Sequence, residues 1–133
     1  MNLNKKVIFS TLIFNLVLNF VFGMIIALGV MVAVGEQTAL VLFSENLWLQ
    51  VVSVILYIPI QIYVVKHLLD QVQVNKLLHL CALYVLLFTF GILMLLLAPE
   101  SISEADRARE LVHFILFQIM IIFSFVYGYK KYN

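Results

Sequence analysis

The chain has 133 residues, 65% of them hydrophobic and only 11% charged, with a formal net charge of +1 and a mean hydropathy of +1.11. Soluble domains run at roughly 45–50% apolar and about 25% charged residues, so no water-soluble fold of this length covers so much apolar surface. The charge balance leaves no basic patch for nucleic acid, and the single cysteine, Cys81, excludes an internal disulfide and reads as a small core residue.

These bounds describe an integral membrane protein built as one domain, 1–133. Four stretches come near the roughly 20 apolar residues that cross a bilayer as a helix: 7–34, 47–65, 77–98 and 111–127. None contains Asp, Glu, Lys or Arg. Lipid offers no partner to open backbone groups, so the expected fold is an all-α four-helix bundle. The alternating strands of a membrane β-barrel are absent.

The first span follows Lys5 and Lys6, as the apolar core of a signal peptide does. Its apolar run is far longer than the usual core of about 7–15 residues and no A-x-A site closes it, so a retained helix is expected. At about 28 residues and roughly 42 Å it exceeds a hydrocarbon core of about 30 Å and must tilt or project. Thr11, Asn15, Asn19, Gly23 and Ala27 recur every fourth residue and form one stripe of small or polar groups. Such stripes let helices approach closely and hydrogen-bond in a membrane. The following segment, GEQTALVLFSEN, is apolar at 39–43; it reads as a loop dipped into the interface or as a helical extension.

The second span carries another stripe, Gln50, Ser53, Tyr57 and Gln61, and is interrupted by Pro59. Proline removes a backbone hydrogen bond, so a kink is expected there, either a hinge or a static bend. KHLLDQVQVNK then reads as helix ends joined by a turn. The third span holds His79, Cys81 and Thr89. After it Pro99 ends a helix, and Ser101 followed by Glu104 matches a capping box that starts the fourth helix near Ile102. The spacings Glu104–Arg107 and Asp106–Arg109 suit ion pairs on a solvated face. The fourth span holds His113 and Gln118.

Helix rise sets the depths. Asn19 lies about 18 Å from the start of the first span, and Ser53, Thr89 and Gln118 fall near the same level. Asn15 falls near Tyr57 and Gln61. All four helices can thus bring polar groups together, either as glue between helices or as the lining of a polar pathway. The spans hold no acid or base of the kind that drives coupled transport. Proton-coupled small multidrug transporters, also four short helices, carry a membrane-embedded glutamate in the first, which this chain lacks. His67, His79 and His113 are too dispersed to share a metal, no C-x-x-C or H-E-x-x-H spacing occurs, and no nucleophile–base pair is in register. No cofactor, metal site or catalytic residue is expected, and the chain is not expected to be an enzyme.

The expected function is an oligomeric membrane module: an ion channel, a pore or a membrane-perturbing effector. The alternative is a scaffold or accessory subunit that anchors a cytoplasmic or membrane partner. A small uniporter or flippase is a third reading. In architecture alone the chain resembles the small four-span proteins of phage-defence and toxin-immunity loci and of flippase and holin families, which implies a bacterial inner membrane and assigns no residues. Lys5, Lys6, Lys66, Lys76, Lys130 and Lys131 fall on one side, and Arg107 and Arg109 on the other, mixed with acids. Both termini are therefore expected in the cytoplasm. Trp48 would mark the outer interface, and Tyr63, Tyr127, Tyr129 and Tyr132 the inner one. With Cys81 replaced by Ala, cysteines at Gln37 and Ser103 should react with an impermeant thiol reagent added outside intact cells. Labelling only after permeabilisation refutes this orientation.

Overall fold

The computed structural model describes residues 2–99 and 103–133, with backbone alone at 40 and 43–45. Among these residues the chain is all-α: α1 (Lys5–Val34), α2 (Glu36–Glu45), α3 (Leu47–Leu56), α4 (Ile58–Gln71), α5 (Lys76–Leu96) and α6 (Glu104–Tyr132). Four helical segments are long and apolar enough to cross a membrane: Lys5–Val34, Leu47–Gln71, Lys76–Leu96 and Glu104–Tyr132.

Local chemistry explains the boundaries. Asn4 caps α1 by accepting from the Val7 amide at 3.3 Å. The helix ends where Gly35 takes φ 86° and ψ 156°, a conformation that glycine alone adopts without steric cost, while its amide still reaches the Met31 carbonyl at 2.9 Å. The expectation of a dipped loop after Gly35 is corrected: residues 36–45 form a separate helix, with Ala39 buried. An apolar stretch satisfies its own backbone most readily as a helix. The Asn46 side chain caps α3, accepting from the amides of Trp48 at 3.0 Å and Leu49 at 3.3 Å, and Trp48 stands exposed.

The break between α3 and α4 follows from Pro59, which has no amide to give the Ile55 carbonyl. The Tyr57 amide turns to the Val54 carbonyl at 3.1 Å, and regular bonding resumes with the Gln61 amide on the Tyr57 carbonyl at 3.0 Å. α4 runs on past Val65 to Gln71. Asn75, in the left-handed region at φ 57°, turns the chain into α5. α5 stops at Leu96, short of the expected 98, ahead of Pro99. The expected Ser101–Glu104 capping box falls partly outside the described residues. The cap observed belongs to Ser103, whose hydroxyl accepts from the Asp106 amide at 3.3 Å and donates to the Asp106 carboxylate at 2.8 Å. Asp106 also meets Arg109 at 3.6 Å, whereas no ion pair joins Glu104 to Arg107 among the described residues.

Two helical hairpins make the bundle. α1 packs antiparallel on α4, and α5 antiparallel on α6; between the hairpins α1 lies beside α5 and α4 beside α6, each pair parallel. α1 and α6 occupy opposite corners. Both chain ends therefore lie at one end of the bundle, called here the terminal half. The core is concentrated there: Val64, Val65, Leu68 and Leu69 of α4, Leu80, Leu83 and Leu87 of α5, and Met120, Ile121 and Phe125 of α6. Buried His79 ties the start of α1 to α5. Its Nε2 accepts from the Asn4 amide at 2.9 Å, so Nδ1 carries the proton and donates to the Asn75 carbonyl at 2.9 Å. Lys66 and Lys131 lie over the Tyr132 ring at 5.6 and 5.3 Å, and Lys131 sits in the last turn of α6, where a positive charge favours the helix dipole. The bundle's outward faces are lined by large apolar residues such as Phe9, Ile13, Phe20, Ile25, Ile119 and Phe123. Cys81 joins that outward surface, which corrects its expected place in the core.

Gly128 marks the closest approach of α4 and α6. A Cβ there would lie 2.8 Å from Val65 Cγ1 and 3.0 Å from Val65 Cβ. Gly128→Ala should therefore destabilise the bundle by about 1–3 kcal/mol, the usual cost of overpacking. Adding Val65→Ala should recover part of the loss. Thermal unfolding followed by helical circular dichroism in detergent measures both, and additive losses would show that the two sites do not touch.

Candidate functional site

The asparagines of α1 face inward, toward α4. Gln61 uses both amide hydrogens, donating to Asn15 Oδ1 at 3.0 Å and Asn19 Oδ1 at 2.9 Å. Asn19 Nδ2 completes the set with a 2.9 Å bond to Asn15 Oδ1. Asn15, Gln61 and Thr11 are each 0% exposed. The network is incomplete: Asn15 Nδ2, Gln61 Oε1 and Thr11 Oγ1 have no partner. The stripe therefore points into the protomer, away from the surface where a second protomer would pack.

Gly23 behaves the same way. A Cβ there would stand 2.8 Å from the Tyr57 hydroxyl, so this glycine makes room for a tyrosine of its own chain. The Tyr57 ring meets Phe22 edge-on at 5.1 Å and Phe117 at 5.8 Å, bridging α1 and α6 next to the helix break at Pro59.

The expected polar level is assembled in part. Asn19, Ser53 and Gln118 share one cavity wall, and Ser53 also donates to the Gln50 carbonyl at 2.8 Å. Thr89 does not join them. It is exposed, and its hydroxyl bonds the Val85 carbonyl of its own helix at 2.8 Å. Gln118 is 8% exposed, and its Oε1 has no partner; neither has Gln50 Oε1.

These groups floor an open-sided cleft of about 1020 Å³ in the distal half of the bundle. Its walls are apolar, chiefly Phe90, Met94, Leu95, Phe114 and Phe117, with Gly91 opening space beside Phe114. Asp106, Arg109, Glu110 and His113 stand at the rim. A side arm of about 290 Å³ runs along α1 past Gly23, Ile26 and Ala27 to Tyr57. Toward the terminal half the cleft ends on Leu87 and Ile121. One turn further, Leu83 and Phe125 pack with Val64 and Val65 into a closed layer.

The histidines lie apart, as their sequence positions imply: His79 at the terminal end, His113 at the cleft rim, and His67 tilted against Phe14 with ring centroids 4.6 Å apart and bonded to Gln71 at 2.6 Å. Among the described residues no three His, Cys, Asp or Glu side chains gather as a metal site would require. Gly91 and the aromatic wall of the cleft were not singled out from the sequence and carried no usable signal there, whereas Gln50 was visible on the stripe of the second span. No family model matches the chain, and no curated protein or solved structure is similar to it.

The network makes an unusual ordering testable. Gln61→Leu strands the amides of Asn15 and Asn19 in an apolar interior and should cost about 1–3 kcal/mol or more. Replacing all three by Leu removes every amide of the network at once and should be less destabilising than the single change. Unfolding in a detergent titration ranks the two variants, and a triple variant weaker than Gln61→Leu would show that the amides do not act as one unit.

Proposed function

We propose that this chain is a non-enzymatic, multi-pass integral membrane protein with cytoplasmic termini. It works as a binding or accessory module inside the bilayer rather than as a conduit. One observation carries the reading: the distal cleft opens broadly, holds polar groups without partners on its floor, and ends against a packed apolar layer. Pockets of small-molecule size with a few convergent polar groups in apolar walls are the common form of a binding site. A conduit needs polar or wettable surface from end to end, either within the protomer or between protomers. Here Gln61 of the second span turns to Asn15 and Asn19 of the first, and the outward faces of the spans are overwhelmingly apolar.

Reconstituted into liposomes, the purified chain should leave imposed potassium and proton gradients intact over minutes, at several protein-to-lipid ratios. Gradient collapse that disappears in the Asn15→Leu, Asn19→Leu double variant, with the protein still folded, would overturn this reading and restore a pore lined by the stripe.

A further inference from the structure

We infer that the distal cleft is a site for a single uncharged amphiphile, held head-inward by its hydroxyl or amide group against Gln118 and Gln50; this rests on the reading of the chain as a membrane-embedded binding module.

The argument starts from Gln118. The residue is more than nine-tenths buried and lines the cleft, and its Oε1 accepts no hydrogen bond among the described residues. A buried amide oxygen left without a partner is costly, and helix packing in apolar surroundings does not compensate for it. Gln50 contributes a second partnerless amide oxygen to the same cleft from α3. Two partnerless carboxamide oxygens from different helices, converging on one volume, are matched by a group that donates hydrogen bonds. Hydroxyls and amides do so, whereas a hydrocarbon or an ether does not.

Charge decides the rest. Asn19, Gln50, Ser53 and Gln118 are all neutral, so an ionised head would lie on the floor without a counter-charge. The nearest charged groups, Asp106, Arg109 and Glu110, are at the rim, with Glu110 about 12 Å along α6 from Gln118 at the usual helical rise. Asp106 and Arg109 already pair with each other. An anionic or cationic lipid would therefore stay at the rim, and only a neutral head can reach the floor. The apolar body would run between Phe90, Met94 and Leu95 of α5 and Phe114 and Phe117 of α6. The cleft is open-sided; α1 lines it at Leu16 and Asn19, and the wall formed by α5 continues through the residues after it to Pro99. The volume, about 1020 Å³, is enough for one such molecule.

The test uses the full chain in phosphatidylcholine nanodiscs and a diazirine-bearing monoacylglycerol as photoprobe. Labelling should saturate and map to the peptides carrying Phe90–Leu95 and Phe114–Phe117. Unlabelled monoolein and oleamide should compete, while oleate and octadecene should not. Gln118→Leu should weaken labelling about tenfold, the loss of one hydrogen bond to a buried partner, while raising the thermal midpoint of the free protein. A residue that only supports the fold would move both in the same direction. Equal labelling of Gln118→Leu, effective competition by oleate, or labelling that never saturates would each overturn the inference. The occupant and the binding role fail separately. If Met94→Cys, in a Cys81→Ala background, cross-links a second copy and monoolein does not prevent it, a protein helix fills the cleft and the binding-module reading survives without the amphiphile. If the chain conducts ions in the liposome experiment while monoolein still labels the cleft, that reading falls and the site stands.

Discussion

The carboxamide of Gln61, clamped on Asn15 and Asn19, decides where this bundle is tight and where it is open. α1 contributes only Ile8, Thr11 and Asn15 as fully buried side chains, and its apolar packing residues, Val7, Leu12, Phe14, Leu16 and Leu18, are only partly buried against the core. In apolar surroundings helices gain little from burying more hydrocarbon, and close packing and hydrogen bonds carry their association. α1 is therefore held at two levels: by the Asn4–His79 bond at its start and by the amide network near its middle. Beyond Asn19 it carries no buried residue, and the distal cleft and its side arm begin at that level. The open half of the molecule follows from the place where the clamp ends.

The clamp is cooperative in a specific sense. If all three amides turned over together, the same three contacts would form with every donor and acceptor exchanged. Turning one alone would set donor against donor or acceptor against acceptor. The network thus behaves as a unit with two polarities, and each polarity leaves one nitrogen or oxygen of Asn15 and of Gln61 without a partner. Such incomplete satisfaction is tolerated where the alternative, an amide facing hydrocarbon alone, is worse.

Periodicity and helical rise made much of this legible beforehand. Residues four apart share a helix face, so the stripe of α1 was visible in the sequence. Counting rise along two antiparallel helices placed Gln61 at the height of Asn15. Height is only one coordinate, however. Thr89 has the right depth and the wrong azimuth, and nothing in its neighbours' apolar character signals which way it turns. Gly23 was readable as a place of close approach, but the identity of the neighbour, a tyrosine of the same chain, depends on how the hairpin folds. Cys81 illustrates the same limit: in a chain apolar on every side, hydrophobicity does not separate a lipid-facing position from a core one. The helix at 36–45 was hidden by its brevity and by the Gly35 break before it. The cleft's polar floor was legible as a shared depth of Asn19, Ser53 and Gln118, but its apolar walls left no sequence signal, since their residues are individually ordinary.

The unequal helices have a mechanical consequence. The apolar run of α1, residues 7–34, extends about 42 Å, whereas that of α6, residues 111–127, extends about 25 Å at the same rise. These helices occupy opposite corners of the bundle. The hydrophobic belt is thus taller on one flank than on the other, and in a bilayer the molecule acts as a wedge: lipid beside α1 must stretch while lipid beside α6 must compress. Hydrophobic mismatch of this kind costs fractions of a kcal/mol per Å. It is relieved when the protein tilts as a body, gathers lipids of graded length around itself, or settles where the membrane changes thickness.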